Sequence, residues 1–314
     1  MALLVVGSVA LDSLETPFGR REDVLGGSAS YFSACSSFFG PTRLVAVVGE
    51  DFPEEHVRFL AGRDVDLAGL SREPGRTFRW KGRYEFDLNT AHTLDTQLNV
   101  FAGFRPVLPP GFRNSEFVFL GNIDPDLQRA VLDQVERPRF VGCDTMNYWI
   151  TSKRASLLET LKRVDMLFVN DAEARQLAGE HNVVKAARAI LSLGPKALVV
   201  KRGEYGALFF SGDEVFAASA FPLPEVFDPT GAGDSFAGGF MGYLAHRGRA
   251  DVATMRRAIV LGSVLASFAV EQFSLDRLRT LRPEEIRARY AEARGLAHFD
   301  DLENDLFNGA ATPG

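Results

Sequence analysis

The chain has 314 residues, of which 35 are lysine or arginine and 41 are aspartate or glutamate, so its formal charge is −6. This acidic balance argues against nucleic acid as the main partner, because binding a phosphate backbone requires a basic surface. No apolar run approaches the roughly 18 residues of a membrane span, and the first residues lack the basic start of a signal peptide. We therefore expect a cytoplasmic protein that has no membrane segment.

Short apolar runs alternate with amphipathic stretches along most of the chain. This pattern predicts an α/β fold with a mostly parallel sheet and helices on both faces, because parallel strands are buried and need helical crossovers. The predicted strands are residues 3–6, 44–48, 117–120, 140–143, 166–169 and 197–200. The predicted helices are residues 28–39, 54–61, 125–135, 185–193 and 234–245.

Two segments interrupt this alternation. A short polar stretch follows the first strand, and from Thr77 to Tyr84 the side chains alternate with a period of two, which is typical of a half-exposed strand. We predict that the two segments form a small antiparallel sheet that acts as a lid. The predicted division is a core of residues 1–11, 21–75 and 103–298, a lid of residues 12–20 and 76–102, and a loosely held tail of residues 299–314.

The sharpest local pattern is DPTGAGDSFAGGF, residues 228–240. Gly231, Ala232 and Gly233 precede a predicted helix, and a helix N-terminus carries unpaired N–H groups and a partial positive charge. Side chains this small leave room for an anion to approach the backbone. We therefore expect the amides of Ala232, Gly233 and Asp234 to form an anion hole for a phosphoryl group.

Asp234 lies directly beside this predicted anion hole. We expect its carboxylate to stay ionised, because the helix dipole favours the charged form. A proton acceptor next to an anion hole suits the transfer of a phosphoryl group to a hydroxyl, with the carboxylate as general base. The alternative is that Asp234 only caps the helix and the glycines only form a tight turn.

Residues 228–240 resemble the C-terminal signature of the ribokinase (PfkB) family of carbohydrate and nucleoside kinases. Further matches follow the family's order: residues 7–12, the Gly26-Gly27 pair with residues 48–51, the N-x-x-E pattern of residues 170–173, and residues 201–206. The resemblance covers about residues 1–295. It implies a three-layer α/β/α ribokinase-like domain with a small β lid, and an ATP- and Mg²⁺-dependent kinase that phosphorylates a hydroxyl of a small sugar or polyol.

The resemblance also implies a role for each matching residue, with Asp234 as the general base. The implied acceptor-binding residues are Asp12, Gly27, Ser28 and Tyr31, and Asn122 joins them because ligands of such sheets bind beyond the carboxyl ends of the strands. The implied ATP-binding residues are Asn170, Lys201, Gly203, Gly206 and Ser263, and Glu173 is implied to organise Mg²⁺ through water. Alternatively, Asn170 and Glu173 only cap a helix, and Asp12 is only a loop residue at a strand end.

Two positions depart from the family pattern. Tyr31 stands where many members carry asparagine, and a phenol cannot replace both the donor and the acceptor of an amide, so the contact with the acceptor must differ there. Asp228 and Thr230 lie at the places of a monovalent-cation site. The glycine expected downstream is replaced within residues 270–274, which leaves a K⁺ requirement open.

The lid leaves several alternatives open. Its aromatic side chains (Phe78, Trp80 and Tyr84) alternate with basic ones (Arg79, Lys81 and Arg83). The aromatic residues suit stacking on a sugar ring or base, and the basic ones suit a phosphate on the acceptor. The alternative that the pattern favours over both is that one face packs on the core or on a second subunit's lid while the other is solvated. A nucleoside is the second candidate acceptor. The rival function is a non-catalytic sensor of a nucleotide or metabolite. The resemblance also implies a homodimer formed through the lid.

Overall fold

The structure, a computed structural model, describes residues 1–301, so residues 302–314 of the predicted tail lie outside the described residues. Its strands form two sheets. The strands are β1 (Leu3–Val6), β2 (Ala10–Thr16), β3 (Gly19–Gly26), β4 (Thr42–Gly49), β5 (Val65–Glu73), β6 (Arg79–Tyr84), β7 (Ala91–Gln97), β8 (Phe117–Leu120), β9 (Phe140–Asp144), β10 (Met166–Asn170), β11 (Ala197–Lys201), β12 (Ala207–Ser211) and β13 (Glu214–Ala218).

Nine strands form the main sheet in the order β13-β12-β11-β10-β9-β8-β1-β4-β5. The strands from β11 to β5 pair in parallel, and only β12 and β13 pair antiparallel. All six strands predicted for the core are present, each within two residues of its predicted ends. Because the parallel strands point the same way, their carboxyl ends share one edge of the sheet, where Asp144, Asn170 and Lys201 are the last residues of β9, β10 and β11.

Helices cover both faces of the main sheet. They are α1 (Ser28–Ser36), α2 (Glu54–Ala61), α3 (Pro125–Leu132), α4 (Asn147–Ser152), α5 (Arg154–Leu161), α6 (Asp171–Ala178), α7 (Val183–Leu191), α8 (Ala232–Arg247), α9 (Val252–Ala269), α10 (Asp276–Thr280) and α11 (Pro283–Leu296). Alternate residues of each buried strand enter different cores: Val5 packs in the core with α1, α8 and α9, and Val6 in the core with α3, α5 and α7. The predicted three-layer α/β/α architecture is confirmed.

Glycines bring the backbones of α1, α8 and α9 close together. A side chain at Gly238 of α8 would overlap the carbonyl of Phe32 in α1, and one at Gly262 of α9 would lie 2.7 Å from the carbonyl oxygen of Phe236. This packing fixes the N-terminus of α8 at the carboxyl edge of the sheet. By its length and composition alone, helix α9 could cross a membrane, but most of it is buried inside the protein.

The small sheet has the strand order β3-β2-β6-β7. The predicted lid is present, but it is mixed, because β2 and β6 pair in parallel while the other two pairs are antiparallel. Its first segment is also longer than predicted, since β3 places residues 21–26 in the lid and not in the core. That strand is mostly exposed and charged, so it lacks the apolar alternation by which a strand is found in a sequence.

Candidate active site

The N-terminus of α8 lies at the centre of the candidate site. Gly231 precedes the helix with a φ of 73°, in the left-handed region that favours glycine. Any side chain at Gly231 would also overlap the ring of Tyr31, which packs directly on this loop. The predicted turn is therefore present, and Gly231 is required by both its conformation and its neighbour.

Lys201 lies against the same helix terminus. A Cβ built on Gly233 would be 2.9 Å from Nζ of Lys201, so glycine is needed for the ammonium group to approach. Nζ of Lys201 also forms an ion pair of 2.9 Å with Asp144, whose side chain is almost fully buried. Burial lowers the pKa of Lys201, but the carboxylates of Asp144, Glu173 and Asp234 outweigh it, and the net shift is upward. Lys201 is thus a fixed positive charge beside the predicted anion hole.

Asp234 lies in the first turn of α8 and is half-buried. Burial, with a further contribution from Asp144 and Glu173, raises its pKa to about 7, although Lys201 acts in the opposite direction. Desolvation and two neighbouring acids thus oppose the helix dipole, which was expected to keep this carboxylate ionised. A pKa near neutrality is well matched to a general base, which must both accept and release a proton.

Asn170 and Glu173 form a capping box at the start of α6. Oδ1 of Asn170 accepts the N–H of Glu173 at 2.8 Å, and Oε2 of Glu173 accepts the N–H of Asn170 at 2.8 Å. These two residues therefore cap α6, and the cap engages one oxygen of each side chain. Burial raises the pKa of Glu173 to about 7, with Lys201 acting to lower it and Asp144 to raise it, so this carboxylate also belongs to the charged cluster.

Asp12 occupies the opposite side of the site, on lid strand β2. Its carboxylate lies where a side chain at Gly26 would be, and it accepts a hydrogen bond from the backbone of Gly27. Gly27 has a φ of 91° and precedes α1, so the glycine pair makes the room that the carboxylate occupies. Burial, together with Asp228 and Asp234, raises the pKa of Asp12 to about 8.

Two tyrosine hydroxyls reach the space around Asp12. The Tyr31 side chain is fully buried, and its hydroxyl has no hydrogen-bond partner within residues 1–301. Burial, and to a lesser extent the negative charges of Asp228 and Asp12, raise the pKa of Tyr31 well above its usual range. The phenol is therefore a neutral donor. The hydroxyl of Tyr84, on lid strand β6, accepts a hydrogen bond of 3.2 Å from Thr230, which ties the lid to the loop before α8.

Asp228 holds that same loop in place. Its Oδ1 accepts the N–H of Thr230 at 2.9 Å, and its Oδ2 accepts the N–H of Ser274 at 2.8 Å. Ser274 has a φ of 55°, which is uncommon for a residue other than glycine. Both oxygens of Asp228 are thus engaged by the backbone, and Thr230 is bonded to Tyr84.

Three predicted site residues use their polar groups elsewhere. The hydroxyl of Ser28 lies 3.3 Å from that of Ser8 and accepts the N–H of Ser8, so it fastens α1 to the loop after β1. The side-chain oxygen of Asn122 accepts the indole N–H of Trp149 at 3.1 Å. The hydroxyl of Ser263 donates to the carbonyl of Ser219 at 3.2 Å. Each of these three polar groups thus has a partner within the folded chain.

The predicted nucleotide loop follows β11. Gly203 and Gly206 have φ values of 54° and 83°, and a side chain at Gly206 would overlap the carbonyl of Ala218. This contact places the loop beside Ser219, and so near Ser263. The lid also reaches the loop, because Oδ1 of Asn89 would lie 3.1 Å from a Cβ at Gly203.

The main residue missed from the sequence is Asp144. It ends a buried parallel strand, and that position was a signal that could have found it. The bond between Thr230 and Tyr84 joins residues 146 positions apart and has no local sequence signal.

Comparison with known proteins identifies the family. Residues 19–279 match the pfkB family of carbohydrate kinases. The chain belongs to this family. Members of the pfkB family transfer a phosphoryl group to a hydroxyl, so this protein is a phosphotransferase with a hydroxyl group as acceptor.

Similar proteins of the pfkB family include two named nucleoside-type kinases. The chain is 37% identical to a nucleoside kinase of Methanothermobacter thermautotrophicus over 86% of this chain and 89% of that protein. It is 32% identical to a cytidine kinase of Thermococcus kodakarensis over 79% of this chain and 89% of that protein. An Escherichia coli structure with bound ATP and Mg²⁺ has a TM-score of 0.76 at 19% identity, covering 92% of this chain and 99% of that one, which confirms the ribokinase-like fold.

Proposed function

We propose that this pfkB-family protein is an ATP- and Mg²⁺-dependent kinase that phosphorylates a hydroxymethyl group of a nucleoside. The observation that carries the proposal is the position of Asp234, which has a pKa near 7 between the N-terminus of α8 and the charge of Lys201. Two relatives named for nucleoside and cytidine kinase activity favour a nucleoside over the sugar or polyol expected from the sequence. A free sugar or polyol is the second candidate, because Asp12 suits any pair of neighbouring hydroxyls.

The proposed mechanism assigns each end of the site one task. Asp12 accepts hydrogen bonds from two hydroxyls of the acceptor, as a carboxylate does well. Asp234 removes the proton from the attacking hydroxyl, and the amides of Gly231, Ala232 and Gly233 with Asp234 stabilise charge on the transferred phosphoryl oxygens. Lys201 adds a positive charge beside them, and Gly203, Gly206 and Ser263 line the nucleotide side.

The carboxylates near Lys201 fit a Mg²⁺ ion. Asp144, Glu173 and Asp234 are three buried or half-buried acids around one ammonium group, so the cluster has an excess of negative charge and oxygen donors. Within residues 1–301, no set of three acidic, His or Cys side chains converges on one metal position. Mg²⁺ would therefore be held by Glu173 and Asn170 mainly through water, and when bound it would neutralise charge on the phosphates.

Further parts of the proposal rest on the family alone. A homodimer through the lid is consistent with the exposure of β7 and of most of β3. A cytoplasmic location is a further part of the proposal. We do not include K⁺ in the proposed reaction, because Asp228 and Thr230 are already engaged in the loop.

A substrate panel tests the proposed function. The purified protein would be incubated with ATP, Mg²⁺ and each of a set of ribonucleosides, pentoses, hexoses and polyols, and the products would be measured by mass spectrometry. The expected result is a product heavier by one phosphoryl group for at least one nucleoside. Binding of ATP and nucleosides without any product across the whole panel would instead support the sensor.

The pH dependence of the reaction follows from the two titrating acids. The base must be deprotonated in the free protein, so its titration should add a fall of about tenfold in kcat/KM per pH unit below about 7, the pKa of Asp234. A protonated Asp12 accepts fewer hydrogen bonds, so kcat/KM for the acceptor should already fall below about pH 8. Steady-state rates between pH 5.5 and 9.5 would measure both limbs, and flat profiles would contradict both assignments.

Tyr31→Phe separates acceptor binding from folding. The change removes a buried hydroxyl that has no partner among the described residues, so the melting temperature of the free protein should stay the same or rise. KM for the acceptor should rise about 5- to 150-fold, because one hydrogen bond from a neutral donor is lost. Tyr290→Phe on α11, far from the site, is the control. A lower melting temperature with unchanged KM would show that the hydroxyl serves the fold instead.

A further inference from the structure

We propose that the indole of Trp80 is a stacking platform for the base of the acceptor nucleoside, and that Gly82 and Thr93 hold it in that role. The inference rests on the proposed nucleoside kinase function and identifies the part of the lid that distinguishes a nucleoside from a free sugar.

The register of the lid turns Trp80 towards the cleft. In the parallel pairing of β2 with β6, Asp12 is opposite Trp80 and Leu14 is opposite Gly82. Alternate residues of a strand share a face, so Trp80, Gly82 and Tyr84 lie on the face that carries Asp12. That face is the one turned to the site, because the hydroxyl of Tyr84 meets Thr230 of the loop before α8.

The indole lies flat across its own strand. A Cβ at Gly82 would overlap the six-membered ring of Trp80, so the ring occupies the space that a side chain would fill. The indole N–H donates to the hydroxyl of Thr93 at 3.1 Å, and Thr93 is the register partner of Gly82 on β7. One face of the ring is thus backed by the strand, and Trp80 as a whole is only half-buried. Its other face is accessible.

An indole beside a carboxylate matches the two halves of a nucleoside. Asp12 can accept hydrogen bonds from the neighbouring hydroxyls of the ribose, while the base stacks on the ring of Trp80 one strand away. Stacking of this kind does not require one particular base, because every base presents a π face. A free sugar or polyol would use Asp12 and gain nothing from the ring.

The test compares nucleosides with D-ribose in lid variants. Trp80→Leu removes the ring, and Gly82→Val displaces it by filling the space beneath it. Both should lower kcat/KM for cytidine and adenosine by roughly 5- to 150-fold, the effect of losing one base stack. Both should leave kcat/KM, or the dissociation constant, for D-ribose within about twofold of the wild-type value. Phe86→Leu, an exposed aromatic residue at the lid tip, is the matched control and should change neither.

Fluorescence gives a readout that does not depend on turnover. The chain has two tryptophans, so in Trp149→Phe the emission reports Trp80 alone. Cytidine and adenosine should quench this emission saturably, and D-ribose should not. A wild-type protein that phosphorylates sugars or polyols but no nucleoside would overturn the proposed function. If the wild-type protein phosphorylates nucleosides, two results would overturn only this inference. One is an equal loss of kcat/KM for nucleosides and for ribose in Trp80→Leu, and the other is the absence of quenching of the Trp80 emission.

Discussion

Replacing Asp234 with asparagine should lower kcat by about 10²- to 10⁴-fold, the usual contribution of a general base. The amide keeps the shape of the carboxylate but cannot take the proton of the acceptor hydroxyl. Because burial, Asp144 and Glu173 raise the pKa of Asp234, the ionised carboxylate is unfavourable in the free protein. We therefore expect the melting temperature of Asp234→Asn to be unchanged or higher.

The control for this variant is Asp213→Asn, which removes an exposed carboxylate in the turn between β12 and β13. It should leave both kcat and the melting temperature unchanged. The acidic limb of the kcat/KM profile near pH 7 should disappear in Asp234→Asn and persist in the control. Unchanged turnover in Asp234→Asn would show that another group accepts the proton.

Lys201→Met should have the second large effect, on both stability and activity. It leaves the buried carboxylate of Asp144 without its partner, and breaking a buried ion pair from one side typically costs about 3–5 kcal/mol of unfolding free energy. Since Lys201 lowers the pKa of Asp234, its removal should also shift the acidic limb of kcat/KM to higher pH. Chemical denaturation and the pH profile measure the two effects.

Two further variants separate the charge of Lys201 from its place in the fold. Lys196→Met, just before the other end of β11, breaks an exposed ion pair with Asp165 and should cost at most about 1 kcal/mol. The double variant Asp144→Asn/Lys201→Met removes both buried charges, so it should recover much of the lost stability without recovering activity. Full activity in the double variant would show that Lys201 serves only to neutralise Asp144.

The core was the part of the fold that could be predicted from the sequence. Strands such as Leu3–Val6 and Phe117–Leu120 are buried on both faces, so every residue in them is apolar and the run is easily recognised in the sequence. The edge strands β5 and β13 were missed, because most of their residues are exposed or only partly buried and no continuous apolar run marks them. The parallel pairing of β2 with β6 was missed for another reason: it joins distant segments, and no local pattern distinguishes it from an antiparallel pair.

The candidate site was predicted where its chemistry is local. The turn at Gly231 and the helix start at Asp234 are contiguous, so their glycines and carboxylate could be interpreted together. The pKa of Asp234 could not be predicted, because it depends on Asp144 and Glu173. Other strands and helices bring these two acids to the carboxyl edge of the sheet. The internal partners of Ser28 and Asn122 could not be predicted for a similar reason, since Ser8 and Trp149 reach them only in the folded chain.

Asp12 and Asp234 belong to different bodies of the molecule. Asp12 is part of the four-stranded sheet, whereas Asp234 begins a helix packed into the nine-stranded one. In the proposed mechanism, the distance from the bound acceptor hydroxyl to the carboxylate of Asp234 is therefore set by how the smaller sheet is held over the larger one. The hydrogen bond between Thr230 and Tyr84 is one contact that fixes this distance.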